Sequence, residues 1–221
     1  MLNKEYQNNV HNYDINEQER AFEYKKRVAK LCEIGLNSDD IYAWHGTSIE
    51  AIIHLANYGN LPSDSVHGDR FFYAPSRDYS GLPLGVRPQL EAEGYAMSLS
   101  AEYYVISQLP FKIKDRAIFN NIFDFDEALE KFINNEVIPN NFNEQLFRQL
   151  VREAYEKRKG VVITLSKRIT ENYKEIGGDT LEDCDQSIIT ENGLPIQFIT
   201  GIKPLGQYER SELDKIQKEV S

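Results

Sequence analysis

Apolar residues in this chain recur every three or four positions in several long segments, which is the spacing of amphipathic helices. Capping residues and glycines mark where these segments begin and end. The predicted helices lie at residues 17–34, 47–59, 89–108, 124–133 and 143–160. A polar, asparagine-rich stretch at residues 1–15 precedes them and predicts a flexible N-terminal arm.

Shorter segments are rich in β-branched and aromatic residues and are bounded by turn-forming residues, which is typical of strands. They lie at residues 40–44, 70–74, 161–165, 187–190 and 196–202. The helices are concentrated in the first two thirds of the chain, and no linker rich in proline or glycine divides it. These patterns predict one α+β domain over residues 16–221.

The candidate chemistry centres on the run Trp44-His45-Gly46-Thr47-Ser48. This run follows a predicted strand and precedes a predicted helix, and Thr47 with Glu50 has the spacing of a capping box. We therefore predict that His45 and Gly46 lie at a strand-to-helix turn, where an imidazole and backbone amides can both face a ligand. The structural alternative is a buried histidine that is bonded to a neighbouring carbonyl.

Composition narrows the possible partners. The chain has 221 residues, 41% hydrophobic content and a net charge of -10, which disfavours a broad surface for nucleic-acid phosphates. No segment predicts a membrane span or a signal peptide. Cys32 and Cys184 are isolated, so we expect a reducing compartment and no metal site.

The order of the elements carries a resemblance to a known family. A strand ending in His-Gly-Thr-Ser leads to an amphipathic helix, followed by the aromatic run Phe71-Phe72-Tyr73-Ala74, a helix bearing Tyr95-Ala96, and late strands. Over residues 41–205 this resembles the ADP-ribosyltransferase superfamily, in its poly(ADP-ribose) polymerase-like branch with a His-Tyr-Glu triad. The resemblance implies a split β-sheet core, with an N-terminal helix and a helical insertion at about residues 111–159 before the last strands.

The resemblance also implies NAD as the substrate and assigns roles around it. His45 would hydrogen-bond the 2′-hydroxyl of the ribose that bears nicotinamide, and the backbone of Gly46 would hold the nicotinamide carboxamide. Thr47 would lie along the adenosine side. Phe72 and Tyr73 would form the floor of the pocket.

Two members of the implied triad have open alternatives. Tyr95 is either the residue that stacks on nicotinamide or a core residue of its helix. The family's glutamate opens a late strand, but here that strand starts at Asp185, Gln186 and Ser187, and the nearest glutamate, Glu191, stands at its other end. Glu191, Asp185 and Gln186 are therefore all candidates for the third catalytic position, because register decides which one faces the groove.

The resemblance implies a mono-ADP-ribosyltransferase that modifies a macromolecular acceptor, for which we expect a protein. The alternatives are an NAD glycohydrolase and a catalytically degenerate module that binds NAD or ADP-ribose. An RNA 2′-phosphotransferase shares the fold but needs basic residues that this acidic chain does not display. Richness in asparagine, lysine and isoleucine is associated with AT-rich bacterial or viral genomes, so we expect a cytoplasmic protein, or a toxin or effector delivered into a host cell.

Overall fold

The computed structural model describes residues 4–63, 70–75, 88–109, 143–177, 186–190 and 192–221. Within them, helices α1 to α6 span Lys4–Ile34, Ile49–Tyr58, Pro88–Gln108, Glu144–Lys157, Arg168–Asn172 and Gln207–Val220. Strands β1 to β8 span Ala43–Thr47, Asn60–Leu61, Arg70–Pro75, Val161–Leu165, Glu175–Gly177, Gln186–Ile189, Leu194–Pro195 and Ile199–Pro204. The predicted α+β class is confirmed.

The strands form an antiparallel sheet in the order β5-β6-β3-β1-β4-β8, and β2 pairs with β7 in a separate ladder. The pairing of β1 with β4 covers all five residues of β1. In the ladder between β1 and β3, Ala43 is opposite Pro75 and Trp44 is opposite Ala74. The last three residues of β1 therefore lie beyond the β1–β3 pairs that the described residues form.

One face of this sheet carries a large core. Helices α1, α2 and α6 supply side chains to it, together with alternate residues of the central strands. Its largest fully buried side chains are Phe71, Phe198, Leu31, Ile49, Ile52, Leu55, Leu61, Ile163, Leu165 and Ile169. Burial of such side chains is the main source of stability in a domain of this size.

The other face is closed by α3, which packs closely on β1 and β4. Among the described residues, the buried cluster here contains Ala92, Ala96 and Val162, with Leu36, Trp44 and Leu205 packed around it. Small side chains at positions four apart leave room for the helix backbone to approach the sheet. The two faces are thus filled in opposite ways.

Local sequence explains the bounds of α2. The side chain of Ser48 accepts a hydrogen bond of 3.3 Å from the Ala51 amide, so Ser48 is the N-cap. We predicted Thr47 for this role, which is wrong by one residue because Thr47 is still paired with Val161 in the sheet. The predicted stop at Gly59 is confirmed, since this residue has φ 78° and donates to the Leu55 carbonyl.

The bounds of other helices differ in part from the predicted ones. Helix α1 begins at Lys4 and so includes most of the segment that we predicted to be an arm, where no proline or glycine interrupts the sequence. The helix predicted at 89–108 is confirmed as α3, and the one after Asn143 as α4, although α4 ends at Lys157, before Gly160. The helix predicted at 124–133 lies outside the described residues, as does most of the predicted insertion.

The C-terminal part of the chain shows further differences. The predicted strand at 196–202 starts with a 3₁₀ turn, Ile196–Phe198, and becomes extended only at Ile199. Helix α6 was not predicted, because its apolar positions are few. It is held instead by buried Leu213 and Ile216 and by Glu209, whose carboxylate accepts a hydrogen bond of 3.0 Å from the Lys159 amide.

Candidate functional site

Strand β1 carries the residues with the clearest candidate chemistry. His45 pairs with Ile163 and Gly46 pairs with Val162 on β4, so both lie within the strand. The prediction that they form a turn is therefore wrong. The extended segment starts and ends about three residues later than the aromatic pattern indicated, and the chain turns only at Ser48.

Alternation along β1 decides which side of the sheet each residue faces. Ala43 and Ile163 belong to the large core, whereas Trp44 and Val162 belong to the cluster under α3. Because His45 is directly opposite Ile163 in the ladder, its side chain lies on the large-core side. Gly46, its neighbour, faces α3.

The imidazole of His45 is half-buried and stacks on a buried aromatic ring of the neighbouring strand. The ring centroids of His45 and Phe71 are 4.2 Å apart, with an angle of 29° between the planes. A stack of this kind contributes about 0.5–1.5 kcal/mol beyond simple burial. One face of the imidazole is thus covered while the side chain keeps some exposure, which distinguishes it from a fully enclosed histidine.

Gly46 is required by packing, whatever else its backbone does. A Cβ atom at this position would overlap the carbonyl oxygen of Ala92 and the amide nitrogen of Ala96, both in the backbone of α3. Any larger residue would push the helix from the sheet. Glycine at this position therefore has a structural explanation that needs no ligand.

The structure does not bring Tyr95 to His45. Ala92 and Ala96 turn towards the sheet, and Tyr95 is 46% exposed on the outer part of α3. This helix packs on the face of β1 opposite to the one that carries the imidazole, so the sheet separates the two side chains. The core alternative for Tyr95 does not hold either, because small residues rather than the tyrosine fill the contact.

The other predicted pocket residues lie near the centre of the sheet. Thr47 and Tyr73 are buried, and Tyr73 belongs to the large core together with Phe71. Phe72 alternates with them along β3 and pairs with Ser187 of β6. Tyr73 is thus placed on the same side of the sheet as His45.

The late strand is adjacent to this aromatic strand. Strand β6 begins at Gln186, which occupies the register position opposite Tyr73, and Phe71 pairs with Ile188. The order β6-β3-β1 therefore brings three segments that are far apart in sequence to neighbouring strands. Asp185 and Glu191 lie outside the described residues, and Gln186 is the candidate whose backbone position is known.

A partly buried arginine that the sequence patterns do not indicate lies close to the end of β1. The Arg158 guanidinium is 3.3 Å from a Glu50 carboxylate oxygen and stacks 3.6 Å above the ring of Tyr208. Its side chain is 13% exposed. These contacts join the first turn of α2 to α4 and α6, and no local pattern could reveal them, since the partners are distant in sequence.

Cys32 is a poor candidate for a nucleophile. Burial raises the pKa of its thiol from 9.0 to about 12, and the nearby carboxylates of Asp214 and Glu33 add to this effect. It lines a cleft of about 290 Å³ between α1, β8 and α6, together with Lys203 and Arg210. A thiol that stays protonated at neutral pH does not attack a substrate readily.

In the described part of the chain, no group of three or more histidine, cysteine, aspartate or glutamate side chains could hold a metal ion. None of the helices in the same residues is long and apolar enough to cross a membrane.

Comparisons with known proteins gave no match to a protein-family model, to a curated protein or to a solved structure.

Proposed function

We propose that this protein cleaves NAD at the junction of β1, β3 and β6 and transfers ADP-ribose to a protein acceptor as a mono-ADP-ribosyltransferase. The observation that supports the proposal best is the order of the three strands. The histidine strand, the aromatic strand and the strand that opens at Gln186 are neighbours, although more than a hundred residues separate the last from the first two. These are the segments that the family resemblance assigns to one site.

The environment of His45 suits the proposed role. Its imidazole is half-buried, is supported on one ring face and lies where the described β1–β3 pairs have ended. A hydrogen-bonding group that is held still can orient a ribose hydroxyl better than a mobile one, because less freedom is lost on binding. Gly46 follows it in β1, opposite Val162 of β4 and covered by α3 on its other side, and Thr47 lies further along the strand.

The proposed reaction needs no metal or redox partner. The bond between ribose C1′ and the nicotinamide nitrogen breaks, and its electron pair neutralises the pyridinium ring as nicotinamide leaves. Positive charge develops on the ribose, where a carboxylate or an oriented amide oxygen stabilises it by about 3 kcal/mol. An acceptor oxygen or nitrogen then bonds to C1′ and loses its proton.

The third catalytic position has the candidates Gln186, Glu191 and Asp185. Gln186 opens β6 opposite Tyr73, which is the position that the family resemblance gives to a glutamate. An amide there stabilises a developing cation less than a carboxylate does, because it carries no net charge. A glutamine at this position therefore favours a second candidate function, in which the cleavage of NAD is slow or absent. Such a protein would be a slow transferase, an NAD glycohydrolase or a module that binds NAD without cleaving it.

Incubation of the purified protein with NAD tests the proposal. We expect free nicotinamide to appear, and ADP-ribose to become attached to added protein. His45→Ala should lower the turnover by about a hundredfold. His54→Ala is the matched control, since His54 is also partly buried and lies beside an aromatic ring, that of Tyr58.

The outcomes separate the candidate functions. Release of nicotinamide without labelled protein indicates a glycohydrolase, and binding of NAD without release indicates a binding module. If wild-type protein neither binds nor cleaves NAD, or if both histidine variants behave alike, the proposal is wrong.

The third position can be assigned in the same assay. Gln186→Glu should raise turnover if Gln186 stands where the carboxylate acts. Glu191→Gln or Asp185→Asn should abolish turnover if one of those side chains acts instead. Each of the three residues thus predicts a different pattern of NAD turnover among the variants. If none of the variants changes the turnover, all three residues are excluded.

A further inference from the structure

We infer that Phe71 is a positioning residue, which holds the His45 imidazole in one orientation at the centre of the sheet. The expected effect of Phe71 on NAD turnover rests on the proposed function. The orientation of the His45 imidazole by Phe71 does not depend on NAD. Phe71 does not itself belong to the predicted pocket, whose floor we assigned to Phe72 and Tyr73.

The first support is the geometry of the two rings. Their centroids are 4.2 Å apart and their planes differ by 29°, so the phenyl ring lies against one imidazole face. Imidazole can rotate about two side-chain bonds, and its second torsion is broad when nothing packs against it. A flat ring against one face restricts that rotation.

The second support is that Phe71 is itself packed into the core. Its side chain is 2% exposed and belongs to the large core. Its backbone is paired with Ile188 of β6, which is fully buried. The orientation of His45 on β1 is thus set by a residue of β3 that is in turn fixed by β6.

The third support concerns the ladder around His45. The backbone of His45 is paired with Ile163 on β4, while the described β1–β3 pairs end one residue earlier, at Trp44–Ala74. The contact between the His45 and Phe71 rings therefore links β1 to β3 beyond the last of these pairs. Loss of the phenyl ring should widen the range of orientations that the imidazole adopts, without removing the imidazole itself.

The test compares Phe71→Leu with Phe198→Leu. Both phenylalanines are 2% exposed and lie in the same core, but Phe198 packs against Tyr173 rather than against His45. The two variants should lose similar amounts of stability in urea unfolding. In Phe71→Leu a histidine loses its ring partner, whereas in Phe198→Leu a tyrosine does.

The direct readout is the NMR signal of the histidine ring protons, assigned with His45→Ala. In wild-type protein the His45 ring protons should be shifted by the ring current of Phe71, and in Phe71→Leu this shift should disappear. Phe198→Leu should retain it. The signals of His54, which lies 4.5 Å from the Tyr58 ring, serve as the internal reference in every sample.

The functional readout is the steady-state turnover of NAD. Phe71→Leu should lower kcat by about tenfold to a hundredfold, with a smaller change in KM, because misorientation acts on the transition state more than on binding. Phe198→Leu should stay within about twofold of wild type, and Phe71→Tyr, which keeps a ring, should restore most of the loss.

The outcomes distinguish the two proposals. If wild-type protein does not act on NAD, the proposed function fails, while the NMR comparison still decides whether Phe71 orients His45. If the wild type is active but both leucine variants have the same kcat and the same His45 signals, Phe71 is only a core residue and the inference is wrong.

Discussion

The two faces of the six-stranded sheet achieve close packing by opposite means. On one face, α1, α2 and α6 bury large aliphatic and aromatic side chains, among them Ile52, Phe71 and Ile163. On the other, α3 approaches β1 so closely that Gly46 has no room for a side chain. The first face should be sensitive to lost volume and the second to added volume.

The different packing of the two faces also indicates on which face a ligand can bind. A helix packed backbone to backbone leaves no space for a ligand between itself and the sheet. The opposite face carries His45, half-buried among larger side chains, where partial exposure and a supporting ring coexist. The candidate site is therefore on the face with the larger core.

The largest expected effect comes from adding one methyl group at Gly46, where α3 meets the sheet. Gly46→Ala should lower the free energy of unfolding by about 4 kcal/mol, above the usual range for overpacking, because the Ala92 carbonyl and the Ala96 amide belong to the helix backbone and cannot rotate away. Urea unfolding measures this loss.

The matched control for that change is Gly35→Ala. A Cβ atom at Gly35 meets no atom within 4 Å, but its φ of 59° is unfavourable for alanine, so we expect a loss of only about 1 kcal/mol. Equal losses for the two variants would show that α3 does not constrain Gly46.

The next largest effect tests the opposite face by removing volume. Ile163 is fully buried in the large core, directly opposite His45 in the ladder. Ile163→Ala should cost about 3 kcal/mol in urea unfolding, through lost burial and the cavity left behind. Ile189→Ala on β6, where the side chain is 51% exposed, should stay within about 0.5 kcal/mol. A small loss at Ile163 would mean that this core is loosely packed.

A smaller effect comes from the thiol at the edge of the large core. The pKa of Cys32 is about 12 in the folded protein, against an ordinary value of 9.0, so the folded state keeps a proton that the unfolded state gives up first. This contribution to stability is complete below about pH 9 and is lost as the pH rises towards 12. Between pH 8 and pH 10 the loss should be about 1 kcal/mol.

The measurement for Cys32 is a difference between proteins. Urea unfolding at pH 8 and pH 10 is compared for wild type and Cys32→Ala, so that the titration of tyrosines and lysines cancels. Only wild type should show the extra loss at pH 10. The same pH dependence in both proteins would mean that Cys32 titrates normally.

Sequence patterns predicted much of this fold, because local rules govern it. The helix ending at Gly59, the aromatic strand at 70–75 and the strand at 161–165 follow from periodicity and capping. The position of His45 within β1 did not follow, since pairing with β4 extended the strand beyond the local pattern. The sequence also did not predict which side chains share a face of the sheet, because this depends on which strands become neighbours.

Contacts between distant segments account for the remaining differences. Helical periodicity put Tyr95 and Ala96 on one apolar face, but the close approach of Gly46 selects the alanines and turns the tyrosine outwards. The Phe71 ring under His45 and the Arg158–Glu50 pair likewise join segments that no short-range pattern connects. The helix or strand to which neighbouring residues belong can thus be predicted from the sequence, whereas their contact partners on other strands and helices cannot.

The smallest expected effect sharpens the assignment of the two faces. Tyr95→Ala should change stability by no more than about 0.5 kcal/mol, because the side chain is 46% exposed and lies on the outer part of α3. If His45 acts on NAD from the opposite face, the same variant should also leave turnover within about twofold of wild type. Tyr73→Ala provides the contrast, since Tyr73 is 2% exposed on the side of His45 and its loss should cost about 3–5 kcal/mol. A Tyr95→Ala protein that is stable but no longer cleaves NAD would contradict the placement of Tyr95 and His45 on opposite sides of the sheet and favour the histidine–tyrosine pairing that the sequence predicts.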